Sequence, residues 1–193
     1  MTSPLRVKNI IATAKSHLDV YSFDDISLLE ACISETDSLL RLSHDRYVGW
    51  FSDRSGNYRF GHLVSFKTYP LTPSVRKLLN TLNRLFHTDG NGILINRYND
   101  GNQFIGRHRD SKNHTDIGVI ILSYGSPRTF RIYNNDGQLV ESVVLNTGDM
   151  LHMGGAFQEE FMHDIAKEPD TRAVRYSFSL HKFTGRGLYV SNN

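Results

Sequence analysis

His108-Arg109-Asp110 sets an imidazole and a carboxylate at positions i and i+2. On an extended segment those positions point to the same face, so both side chains can reach one ion. A further imidazole stands in Phe161-Met162-His163-Asp164. Two histidines and one carboxylate make the facial set that holds non-haem Fe(II) and leaves its other positions open for cosubstrate and O2. A solvated loop contains such a tripeptide as readily, and residues 107–112 are polar throughout. His152 and His181 compete with His163 for the distal position, because spacing does not choose among them.

The elements that must carry these groups are short. Beyond Gly90, β-type runs at 93–98, 118–123, 128–133, 139–145, 150–153 and 174–181 are separated by turns such as Asn99-Asp100-Gly101 and Asn134-Asn135-Asp136-Gly137. Two earlier stretches read as helices. One runs over 26–42, and one over 75–87 with Ser74 as its cap and an apolar stripe of Val75, Leu78, Leu79, Leu82, Leu85 and Phe86. Helices followed by many short strands predict an α+β chain that ends in a jelly roll or barrel.

A chain of 193 residues, 39% of them hydrophobic, suffices for one core and falls short of two. Charged residues at 22% and a mean hydropathy of −0.39 exclude wholesale disorder. The longest apolar runs, such as 118–122, are too short to cross a membrane, and the first residues lack a secretory pattern. Cys32 is the single cysteine, which excludes an internal disulfide and a Cys-rich zinc site. An intracellular, soluble protein is expected. Net charge is +2, yet residues 46–131 carry thirteen Lys/Arg against five Asp/Glu, while residues 132–170 carry one against eight. A polyanion would be drawn to the middle segment, unless folding interleaves the blocks.

The run Ile93-Leu94-Ile95-Asn96-Arg97-Tyr98-Asn99-Asp100-Gly101, followed by His108-Arg109-Asp110, resembles the AlkB family of Fe(II)/2-oxoglutarate-dependent nucleic-acid dioxygenases. Gly148-Asp149, Gly154-Gly155 and His163 resemble that family's later landmarks, and Arg175-Tyr176-Ser177-Phe178-Ser179 resembles its last core strand. These landmarks run in order over residues 45–183. The resemblance implies that His108, Asp110 and His163 hold Fe(II), that Asn96 and Tyr98 hydrogen-bond 2-oxoglutarate, and that Arg175 pairs with its distal carboxylate. An arginine suits that role because its planar fork binds a carboxylate in bidentate fashion, although Arg172 is close enough in sequence to share it. The family's second arginine is His181 here, either a cosubstrate donor or a structural histidine, and a family asparagine is Ser177. A family carboxylate that helps to read the base falls at Lys112, so base preference does not transfer.

Gly49-Trp50 with Tyr58 and Phe60 resembles the family's nucleotide-recognition lid. Chemistry on a base requires taking it out of the stack and holding it against aromatic faces. Seven aromatics between Tyr47 and Tyr69 are interleaved with Arg46, Arg54, Arg59 and Lys67, although a hairpin packed on a core would also favour aromatics. Trp50, Tyr58, Phe60 and Arg109 are the substrate-side candidates, with Arg54, Arg59, Arg76 and Lys77 as candidate phosphate contacts.

The expected architecture is a single α+β domain over 1–193 with a double-stranded β-helix (jelly-roll) core. Residues 1–44 would form an N-terminal helical extension, 45–90 the lid and its supporting helix, and 91–183 the catalytic core. The implied activity is oxidative demethylation of bases such as 1-methyladenine and 3-methylcytosine, releasing formaldehyde, succinate and CO2. Fe(II) and 2-oxoglutarate are the implied cofactors, O2 and single- or double-stranded nucleic acid the partners, and a monomer away from membranes is expected. An RNA demethylase acting on N6-methyladenine, a protein or small-molecule hydroxylase, and a catalytically silent binding module are the alternatives.

Overall fold

The computed structural model describes residues 6–54, 58–60, 64–110 and 118–182, with 58–60 and 64–66 described through the backbone. In chain order the elements are β1 (Arg6–Ala12), β2 (Ser16–Ser22), α1 (Ile26–Thr36), a 3-10 turn (Asp37–Leu39), β3 (Arg41–Ser43), β4 (Arg46–Ser52), β5 (Tyr58–Phe60), β6 (Val64–Phe66), β7 (Thr68–Tyr69) and α2 (Pro73–Phe86). They continue with β8 (Gly92–Tyr98), β9 (Ile105–His108), β10 (Val119–Gly125), β11 (Arg128–Tyr133), β12 (Leu139–Leu145), β13 (Asp149–Gly155), the one-turn α3 (Phe157–Glu160), β14 (Met162–Ile165) and β15 (Arg175–His181).

Strand pairing makes two large sheets and one two-stranded ribbon. The larger runs β1-β2-β13-β10-β15-β8-β4-β3, with β7 beside β4, and the smaller runs β12-β11-β14-β9. All pairs are antiparallel except β4 with β7. Strands that come from distant parts of the chain lie side by side, which is the jelly-roll arrangement. β5 and β6 pair with each other apart from both sheets, within the segment expected as a lid.

Period-two alternation explains the layering. Along β15, Tyr176, Phe178 and Leu180 face the helices, where they pack with Leu28, Leu29, Val75 and Leu78 of α1 and α2. Along β8, Ile93 and Ile95 do the same. Between the two sheets lies a second core that includes Leu18, Val119, Phe130, Ile132, Leu151 and Phe161. The large sheet is therefore a middle layer with apolar packing on both sides.

The amino terminus departs from the expected helical extension. β1 and β2 form a hairpin that extends the large sheet through β13, and only residues 26–36 are α-helical. Leu18 and Val20 enter the inter-sheet core, while buried Asp19 is satisfied by Asn9 Nδ2 at 2.7 Å. The cap of α2 also differs. Thr72 occupies the N-cap and Pro73 the first turn, where a missing N–H costs nothing. Ser74 instead donates its hydroxyl to Glu35 at 2.7 Å, which ties α2 to α1.

Candidate active site

His163 of β14 lies directly opposite His108 at the end of β9. Opposed residues of an antiparallel pair are close neighbours. The register brings the two imidazoles to 4.3 Å between ring centroids. Asp110, just past β9, completes the group: its Oδ1 is 3.8 Å from His108 Nε2 and its Oδ2 is 3.4 Å from His163 Nε2. One ligand atom from each residue falls within 4.8 Å of the other two. No other group of this kind occurs among the described residues.

Hydrogen bonding settles which imidazole nitrogen is available. His108 Nδ1 lies 2.9 Å from the Gly106 carbonyl, which only accepts, so Nδ1 carries the proton and Nε2 offers its lone pair. Burial pushes His108 down to about 4, helped by the neighbouring His163 and resisted by Asp110. Burial alone would raise Asp110, but the His163 hydrogen bond and the flanking imidazoles hold it well below the usual carboxylate range. A neutral imidazole at His108 and an ionised carboxylate at Asp110 are the protonation states that binding a divalent cation requires of them.

A brace joins the two halves of this cluster. The Asp110 backbone N–H donates to Gln158 Oε1 at 2.9 Å. Arg109 Nη1 donates to the carbonyls of Gln158, Glu159 and Phe161 at 3.0–3.1 Å, and its Nη2 donates to the Asn135 side chain. The segment bearing His108 and Asp110 is thereby fastened to the segment that leads into His163. Arg109 is expected on the substrate side, whereas its guanidinium is committed to the carbonyls at the end of α3. Neither Gln158 nor this use of Arg109 has a signal in the sequence, because the partners are about fifty residues apart.

The cluster opens into a pocket whose wall is the polar face of β15 and β8. Arg175, Ser177, Ser179 and His181 alternate along one strand, with Asn96 and Tyr98 opposite Ser177 and Arg175 on the other. Arg175 is 1% exposed. Its Nη2 donates to Ser123 Oγ at 2.9 Å, while no carbonyl or carboxylate among the described residues accepts from Nε or Nη1. A buried guanidinium with open donors is costly unless a ligand supplies the acceptors. Arg172, the rival in sequence, is exposed.

Residues 20–181 match the family described as the 2OG-Fe(II) oxygenase superfamily. The chain belongs to that superfamily. Two of the proteins it resembles carry ALKBH names. It is 24% identical to DNA oxidative demethylase ALKBH2 of Bos taurus over 142 residues, 68% of this chain and 51% of that one. The chain thus spans about half the length of the bovine protein. It is 26% identical to uncharacterized protein R406 of Acanthamoeba polyphaga mimivirus over 161 residues, covering 80% of this chain and 82% of that one. The solved structure of OsALKBH1 shares the fold with a TM-score of 0.60 at 14% identity, over 91% of this chain and 100% of that one.

As a 2OG-Fe(II) oxygenase the chain takes Fe(II) and 2-oxoglutarate as cofactors. The donor set fits both. His108, Asp110 and His163 can hold the ion, and the open donors of Arg175 suit a carboxylate. His181 is in the pocket wall, 2% exposed, and burial pushes it down to about 4 against the pull of Asp110, so it is a neutral ring rather than a second cation.

The substrate side is less complete. The side chains of Tyr58 and Phe60, and Lys112, lie outside the described residues. Trp50 is fully buried, edge-on to the His181 ring at 6.0 Å and packed closely on Gly92, where no Cβ would fit. It therefore presents no face to a base in this conformation. Trp50→Ala is expected to cost roughly 3–5 kcal/mol of stability by leaving a large cavity, read as a fall in Tm. An unchanged Tm would show that the indole borders an opening and is available for stacking. Of the phosphate candidates, Arg76 is held by Asp53 through two hydrogen bonds, at 2.5 and 2.9 Å, and Lys77 lies 3.5 Å from Asp25.

Proposed function

We propose that this protein is an oxidative demethylase of alkylated bases in nucleic acid, of the 1-methyladenine and 3-methylcytosine type, working on polynucleotide inside the cell. The observation that carries the reading is the pocket in which the His108–Asp110–His163 cluster and the open donors of buried Arg175 meet. The likeness to a protein named as a DNA oxidative demethylase supplies the substrate class. The basic balance of residues 46–131 supports a polyanionic partner.

In this reading Fe(II) with 2-oxoglutarate, when bound, supplies the activation of O2 that breaks a C–H bond of an N-methyl group. The chain supplies placement. His108 offers Nε2 because Gly106 fixes its tautomer, His163 is held flat by stacking on Phe130 at 5.1 Å, and Asp110 contributes the negative charge. Arg175 takes the distal carboxylate of 2-oxoglutarate, with Asn96, Tyr98 and Ser177 lining its path. Leu94, Ile105, Ile121, Phe130 and Ile165 form the apolar remainder of the wall and exclude water.

Succinate formation by Fe(II)-loaded protein, with and without an oligonucleotide bearing 1-methyladenine, tests the proposal. The expected result is succinate stimulated by the methylated strand, with formaldehyde in matching amount. Succinate that ignores the oligonucleotide would remove the nucleobase and keep the oxygenase.

A further inference from the structure

Arg46, on β4, is 4% exposed and lines the same pocket as Arg175 and the His108–Asp110–His163 cluster. Period-two alternation puts it on the pocket face with Val48, which pairs with Asn96. Its Nε donates to Asn96 Oδ1 at 2.9 Å, and Asn96 Nδ2 reaches Ser177 Oγ at 3.3 Å. A continuous chain of polar contacts thus crosses β4, β8 and β15 along the pocket wall.

Arg46 fixes the amide of Asn96. A guanidinium N–H only donates, so the oxygen of Asn96 must face Arg46 and its NH2 must face Ser177 and the pocket. With the amide so oriented, Asn96 presents a donor to a ligand. Arg46 and Arg175 are the two arginines of the pocket lining, both buried.

We propose that Arg46 is a second arginine of the 2-oxoglutarate site, acting from β4 by holding the Asn96 amide with its NH2 toward the cosubstrate. This rests on 2-oxoglutarate occupying the pocket against Arg175 and is independent of which substrate is oxidised.

Calorimetric titration of Mn(II)-loaded protein with 2-oxoglutarate tests it without turnover. Arg46→Gln is expected to weaken 2-oxoglutarate binding by roughly ten- to a hundredfold, the scale of a hydrogen bond to a charged group. Mn(II) affinity should stay unchanged. Arg46→Lys, which keeps the charge and loses the Nε contact, should recover part of the loss, a rescue that a packing role would not give. In a double-mutant cycle, Arg46→Gln and Asn96→Ala should be markedly less than additive, because each removes the same oriented donor. His181→Gln should change the affinity by less than Arg46→Gln. Wild-type affinity for 2-oxoglutarate in Arg46→Gln, with weaker oligonucleotide binding, would overturn the proposal and move Arg46 to the substrate side. Failure of both wild type and Arg175→Gln to show any 2-oxoglutarate binding would instead overturn the pocket assignment on which it rests.

Discussion

Asp110→Ala should abolish succinate formation and strip the protein of Fe(II) at ordinary metal concentrations. Asp110 is the one carboxylate of the cluster, and it stands between Nε2 of His108 and Nε2 of His163. Both imidazoles in the pair are buried, so the carboxylate supplies the local negative potential that attracts a dication. Removing groups that merely support metal ligands costs about 10- to 100-fold in affinity. Removing the one anionic ligand should exceed that. Asp110→Asn separates charge from shape: it keeps the planar side chain in place and should fail nearly as badly, because a neutral amide binds a hard cation weakly. Metal affinity followed by calorimetry, beside succinate release in excess Fe(II), checks both variants. Alanine protein that binds metal normally and turns over would take Asp110 out of the site. His108→Ala is expected to behave likewise, since His163 and Asp110 alone would leave the ion held by two protein groups.

What the sequence discloses depends on whether the cue is local. The strand Arg175-Tyr176-Ser177-Phe178-Ser179-Leu180-His181 alternates without a break, and every one of its residues is buried. A strand buried on both faces is ordinarily apolar on both. A polar face that is nevertheless buried therefore marks a binding site, and β8 with Asn96 and Tyr98 repeats the pattern. The strands near 118–123, 128–133 and 139–145 also fall within a residue or two of their expected places. β9 and β14 carry the metal candidates yet give almost no strand signal. Ile105-Gly106-Arg107-His108 and Met162-His163-Asp164-Ile165 are four residues each, with charge and glycine in them, and they are held by pairing across the small sheet. The resemblance picks His163 over His152, and that register is what brings it opposite His108. His152 faces instead the rings of His17, at 5.0 Å, and Phe86, also at 5.0 Å, on the helical side of the large sheet. Arg46 escapes for the same reason as the Arg109 brace, because its significance lies in a neighbour fifty residues away.

Arg175→Ala is expected to raise the 2-oxoglutarate requirement by roughly thirtyfold or more while sparing oligonucleotide binding. The estimate follows from truncating one partner of a buried charge pair, which costs roughly 2–5 kcal/mol. Arg175 sits on the floor of the pocket opposite Tyr98, anchored by one bond to Ser123. Nε and Nη1 have no hydrogen-bond partner among the described residues, and a carboxylate can meet such a pair of donors with two parallel hydrogen bonds. Burial holds this guanidinium below its usual value, so the site itself favours an anion that restores the balance of charge. Arg175→Lys would keep a charge and lose the fork, and should fall between wild type and alanine. Chemistry at the metal should survive in part, with kcat recovered at high 2-oxoglutarate, because the alanine variant leaves the His108–Asp110–His163 cluster untouched. A fall in kcat that no cosubstrate concentration repairs would mean that Arg175 acts on the substrate or on the fold rather than on 2-oxoglutarate. Exposed Arg172 gives the control: its replacement should change neither quantity.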